Sequence, residues 1–164
     1  MINNILVASV VFVLITALPV SAQMDKETDS ILHAAEACFK AMKQKNYVGI
    51  WDTLSTKSRA TILGDVTKRA AGTYSRQQIE TDFSAGGLIA RSYWDEYLFY
   101  FDPDMALEQS TWEMGPVGRQ QAEIIIQYRK AEQPARLKMF MEQGLWKIGL
   151  IETFGTERRD KPRW

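Results

Sequence analysis

Near the end of the chain two alternating runs, 135–142 and 145–154, flank the dipeptide Gln143-Gly144. A polar residue followed by Gly between such runs signals a two-residue hairpin, because Gly takes the positive φ that the turn needs. With that turn, Glu142 faces Leu145, Met141 faces Trp146, Met139 faces Ile148 and Leu137 faces Leu150. The last three pairs fall on one side, since side chains alternate along a strand. A slip by one residue would scatter them, so the pattern selects its own register. The opposite side carries Lys138, Phe140, Glu142, Lys147 and Ile151, a mixed surface. Continued to Phe154, the alternation aims Glu152 at the apolar side.

Upstream the period changes to that of helices. Thr28, Asp29 and Ser30 offer caps, and Ile31, Ala35, Cys38 and Met42 then recur on one face, widened by Leu32 and Phe39. Lys40, Lys43 and Lys45 suit the negative end of that helix dipole. Asn46 breaks it, and Tyr47, Ile50, Trp51 and Leu54 predict a second, shorter helix. Ser55 caps a third carrying Ile62, Leu63 and Val66, which ends at Gly72-Thr73. Ser75 and Gln78 have capping-box spacing ahead of Ile79 and Phe83, and Gly86-Gly87 is a break.

The run 88–101 holds six aromatic residues: Tyr93, Trp94, Tyr97, Phe99, Tyr100 and Phe101. As a helix it places Ile89, Tyr93, Tyr97 and Tyr100 on one face and Trp94, Leu98 and Phe101 on the next. A strand stays open here, because aromatic residues favour both states. Asp102-Pro103-Asp104 stops the element. Beyond it everything reads as sheet: 107–114, a turn at Gly115-Pro116-Val117-Gly118, then 121–129, then the final hairpin. Helices first and an antiparallel meander of about four strands second define an α+β domain with helices on one sheet face.

Composition narrows the function classes. Twenty basic and twenty acidic residues cancel, so no field favours nucleic acid or an anionic membrane surface. Residues 1–22 carry no charged side chain, and their apolar run ends in Pro19-Val20-Ser21-Ala22. Small residues at 20 and 22 fit a signal-peptidase site, giving a signal peptide at 1–22, a single domain at 23–156 and a basic tail at 157–164. The expected location is therefore the periplasm or outside the cell. The missing Lys or Arg before the apolar core leaves an uncleaved membrane anchor as the alternative. The single cysteine, Cys38, allows no intramolecular disulfide and reads as a small buried hydrophobe.

Three segments have a familiar look: Lys45-Asn46-Tyr47, then Trp51-Asp52-Thr53-Leu54-Ser55, and the closing Gly144-Leu145-Trp146-Lys147-Ile148. With the helix-then-sheet order they resemble, over residues 28–154, the nuclear-transport-factor-2-like superfamily, and in particular its secreted bacterial members of unknown function. The resemblance implies a cystatin-like cone, in which a curved sheet wraps round helices and leaves a central cavity. That family includes isomerases, dehydratases and polyketide cyclases as well as proteins with no known reaction. Its enzymes commonly place Asp and His inside the cone, and no such catalytic motif maps onto this chain.

Candidate chemistry is sparse. One His and one Cys cannot supply the usual zinc ligands, no carboxylate cluster has a recognised ligand spacing, and no Gly-rich phosphate loop appears, so no metal and no cofactor are expected. His33 reads as an exposed or capping residue. Glu152 has two readings: a general acid or base in an apolar pocket, or a carboxylate paired at the sheet edge with an Arg or a Tyr hydroxyl. Tyr93, Tyr97, Tyr100 and Trp112 are either core or, with Glu152, the lining of a small-molecule pocket. The preferred expectation is a non-enzymatic exported domain that binds a small apolar or aromatic ligand or a protein partner. An isomerase or lyase using Glu152 with a Tyr hydroxyl is one alternative. A structural module that forms homodimers through Phe140, Ile125 and Ile151 on the outer sheet face is the other.

Overall fold

The structure, a computed structural model, describes residues 20–155. The expected signal peptide falls almost entirely outside those residues, and the basic tail at 157–164 entirely so. The elements run α1 (Val20–Lys43), α2 (Tyr47–Thr53), α3 (Thr56–Arg69), α4 (Arg76–Ala85), α5 (Leu88–Tyr100) and α6 (Pro103–Leu107). The strands follow, β1 (Ser110–Val117), β2 (Gln121–Tyr128), β3 (Ala135–Glu142) and β4 (Leu145–Gly149), and a helical turn, α7 (Leu150–Phe154), closes the chain. Helices precede one open antiparallel sheet of order β1-β2-β3-β4, the α+β arrangement expected. Among the described residues no helix is long and apolar enough to cross a membrane.

Local chemistry sets the helix boundaries. α1 ends with Lys45 at positive φ, while the Asn46 N–H reaches back to the Ala41 carbonyl at 2.9 Å, a Schellman-type stop. Asn46 then caps α2 by accepting the Gly49 N–H. Ser55 caps α3, and Ser75 with Gln78 forms a complete capping box on α4, as their spacing predicts. α1 starts upstream of the expected caps at Thr28–Ser30. Asp102 caps the short α6, with Pro103 in its first turn, so the anticipated stop after α5 is also a start.

The hairpin turns at Gln143 and Gly144, both at positive φ (52° and 79°). Its register runs Glu142↔Leu145, Met141↔Trp146 and Met139↔Ile148, as the alternation requires. On the helix-facing side, successive rows read Trp112–Ile126–Ala135, Met114–Ile124–Leu137 and Ala122–Met139–Ile148. These pack against Ile31, Ala35, Cys38, Phe39 and Met42 of α1 to form the core.

Three expectations need correction. β1 covers Ser110–Val117 rather than 107–114, with an irregularity between Met114 and Val117 that absorbs the Gly115-Pro116 pair into the edge strand. Phe99 and Tyr100 turn outward, so Tyr100 does not share the inner face with Tyr97. The last strand also stops at Gly149 instead of running to Phe154. A Cβ on Gly149 would lie 2.4 Å from the Phe140 ring, which therefore rests over that glycine. Beyond it, Thr153 Oγ1 accepts the Lys138 N–H at 2.9 Å, replacing the bond a longer strand would have made. Leu150 is buried, but not as a strand partner of Leu137, and Glu152 belongs to a helical turn.

Candidate functional site

Glu152 projects from α7 onto the start of α3. Its carboxylate accepts the Ser55 hydroxyl at 2.7 Å through one oxygen and the Ser58 hydroxyl through the other. Ser58 Oγ in turn accepts the Ile151 N–H at 3.0 Å, while Ser55 Oγ accepts the Ser58 N–H. Both serines are buried. A second carboxylate, Glu142 at the end of β3, accepts the backbone N–H and the hydroxyl of Thr56. Two carboxylates thus meet the positive end of the α3 dipole, and Glu142 satisfies the Thr56 N–H that the first turn leaves over. The sheet edge is tied to the same corner, with the Ser55 N–H on the Ile148 carbonyl at 2.8 Å. A serine with its proton and a lone pair both engaged is not presented to a substrate. The arrangement holds α3, β4 and α7 together. It differs from both readings of Glu152, because its partners are serine hydroxyls rather than an Arg or a Tyr.

The aromatic residues divide into two groups. Inside, ring centroids 4.8–5.9 Å apart connect Trp51, Phe83, Tyr93, Trp94, Tyr97, Phe101, Phe39 and Trp112 in sequence. Phe154 of α7 packs on Phe101 at 6.2 Å. Three of the predicted pocket residues, Tyr93, Tyr97 and Trp112, belong to this chain of rings. The Trp112 indole N–H donates to the Ala106 carbonyl at 2.8 Å, which fixes α6 against β1. The Trp94 indole nitrogen is buried with no hydrogen-bond acceptor among the described residues, and the residue is 0% exposed. Tyr100 lies outside the group, and the carboxylate of Glu152 is directed at α3.

The outer group is a pair. Phe99 is 81% exposed and Tyr100 54%, and their rings meet edge to face at 4.9 Å. Nearby, Asp95 accepts the Lys45 ammonium at 2.9 Å and the Tyr47 hydroxyl at 2.8 Å. These two hydrogen bonds, Lys45 first, hold its carboxyl below the usual carboxylate range, and Asp95 raises Lys45 in return. Lys43 lies 2.7 Å from Asp104 and also bonds Glu108, which raises its pKa and pins α6 to α1. Glu96 is 3.8 Å from Arg69. Burial pushes the Cys38 thiol up to about 12, against the weaker opposing effect of its hydrogen bond with Thr53, so it stays a thiol. His33 is exposed on α1, and no group of three candidate ligands able to hold a metal ion occurs among the described residues.

Sequence reasoning missed Phe99 as a surface residue and the two serines as partners of Glu152. Phe99 sits five residues after Trp94, about 140° round the helix, so the wheel did carry that signal. No local pattern could have paired Ser58 with a residue in α7. The chain matches no protein-family model, no curated protein and no solved structure.

Proposed function

We propose that this chain is an exported, non-enzymatic α+β domain that binds a partner protein through the outward end of α5. The observation that carries the reading is Phe99, four-fifths exposed beside a half-exposed Tyr100 on a helix whose other face is locked into the core. Aromatic side chains on rigid elements are the usual anchors of protein interfaces. The uncharged residues 1–22 support export, and the nuclear-transport-factor-2-like resemblance with its cone fits the helix-then-sheet order. The outer sheet face offers less to a second copy. Ile125 is half-buried between Glu113 and Arg136, Phe140 lies over Gly149, and Ile151 packs against the core.

A photo-crosslinking amino acid at position 100 of the full chain, in its native cell, tests the proposal. One discrete protein adduct is expected, lost when Phe99→Ser is added and not formed from exposed Lys57. Adducts of equal yield from both positions would overturn it.

A second reading rests on Trp94. A buried N–H without an acceptor is destabilising by about 1–3 kcal/mol, and a small apolar or aromatic ligand with one acceptor atom would satisfy it amid the Tyr93 and Tyr97 rings. Titration of the purified protein with such compounds, compared with Trp94→Phe, separates this reading from the first.

A further inference from the structure

The surface that surrounds Phe99 and Tyr100 narrows the kind of partner. One turn before the pair stand Asp95 and Glu96, and two residues beyond it stands Asp102, all exposed. The segment 95–108 contains five carboxylates and no Lys, Arg or His. Ion pairs bring three cations to it, from Lys43, Lys45 and Arg69, and Arg91 also acts on Asp95, so the five carboxylates keep a small negative excess. Asp102 has no ion pair among the described residues, and its carboxylate accepts the Asp104 N–H. Glu96 meets its cation only at 3.8 Å, too long for a hydrogen bond.

We propose that the occupant of this surface is a basic, arginine-bearing segment of another protein. This rests on the partner-binding reading above and adds the partner's chemistry to it. A guanidinium stacks on the exposed face of Phe99 or Tyr100 and gains from the ring quadrupole. The same cation reaches the carboxylate of Asp102 or Glu96, a bidentate geometry that a lysine does not reproduce. Lys45 holds Asp95, and Asp104 and Glu108 share Lys43, which leaves Asp102 as the carboxylate without an ion pair among the described residues and Glu96, 3.8 Å from Arg69, as the loosest of the paired ones. The hydrogen bonds of Lys45 and Tyr47 to Asp95 also fix the helix that presents the rings.

The test uses the purified full chain and three fluorescent peptides of equal length: one carrying four arginines and a tryptophan, one with every arginine replaced by lysine, and one with glutamine there. Fluorescence anisotropy is expected to show binding of the arginine peptide, weaker binding of the lysine peptide and none of the glutamine peptide. Phe99→Ser is expected to weaken the arginine peptide about tenfold. Asp102→Asn is expected to weaken it several-fold and to reduce its salt dependence. Unchanged circular dichroism and melting of both variants show that the loss is not unfolding. Equal binding of the glutamine peptide would overturn the basic partner and leave the interface reading standing. An adduct from position 100 without binding of any of the peptides would do the same. Loss of both the adduct and the binding overturns the two together. Two further outcomes name another occupant and overturn this one. The first is self-association abolished by Phe99→Ser, which assigns the surface to a second copy. The second is peptide binding seen only after residues 157–164 are removed, which assigns it to the chain's own basic segment.

Discussion

The two faces of α5 carry the same kind of side chain and do opposite things. On the inner face Ala90, Trp94, Tyr97 and, just past the helix, Phe101 follow one line at spacings of four, three and four, and all are buried. On the outer face Phe99 and Tyr100 interrupt that line by two residues and stand in water. Aromatic content alone therefore says nothing about role; the helical period decides it. The inner rings gain from area removed from water and from edge-to-face contacts. The outer pair has only its own mutual edge-to-face contact and stays largely in water, so it contributes little to folding in the isolated domain.

The sharpest way to break this contrast is to truncate the largest ring on the inner face. Trp94→Ala removes a fully buried indole from between Tyr93 and Tyr97 and should destabilise by about 3–5 kcal/mol, read from denaturant melts. Native-like stability of that variant would mean the inner line is wrongly placed.

The next effect tests what closes the inner line at its far end. Phe154 covers Phe101, and α7 is held by the hydrogen bonds from Ser55 and Ser58 to Glu152. Ser58→Ala leaves the Ile151 N–H without its acceptor and removes one donor from the carboxylate, so a loss of about 1–3 kcal/mol is expected. Hydrogen exchange at Ile151 should quicken more than exchange in β2. Equal changes in both would show that α7 is not a separate clamp.

A smaller effect belongs to the anchor that both faces share. Asp82 accepts the Ala90 N–H at 2.8 Å, and a Cβ on Gly87 would lie 2.1 Å from that carboxylate. Gly87→Ala should displace the carboxylate and lose the cap, about 1 kcal/mol in thermal melts, with binding at the outer face also reduced. Loss of stability without any change in binding would separate the aromatic pair from the start of its helix.

How much of this was legible along the chain follows the range of the interactions. Caps and turns are local: Ser55, Ser75 with Gln78, and Gln143-Gly144 each announce themselves within four residues, and each stands where its pattern put it. The sheet rows follow from the period of two once the turn is set. The end of β4 was not legible, since it depends on Phe140 lying over Gly149 and on Thr153 reaching Lys138 across the hairpin. The partners of Glu152 lie more than ninety residues away in sequence, beyond any periodicity argument. Of the candidate residues, Tyr93, Tyr97 and Trp112 meet in one cluster of rings, while Tyr100 went outward because its position falls off the inner line.

The smallest expected effect on stability is the most informative about function. Phe99→Ser exchanges an exposed ring for a hydroxyl that water solvates freely, and the ring's packing is limited to one edge of Tyr100. Surface substitutions of this kind usually stay within about 0.5 kcal/mol, so the melting curve should overlay that of the unchanged protein. Trp94→Ala and Phe99→Ser would then differ in stability by several kcal/mol, although both remove an aromatic residue from one helix. If Phe99→Ser melted as low as Trp94→Ala, Phe99 would have to be buried, and the outer face could not be an interface. If it melts normally and still loses its partner, the two faces divide the helix between folding and recognition.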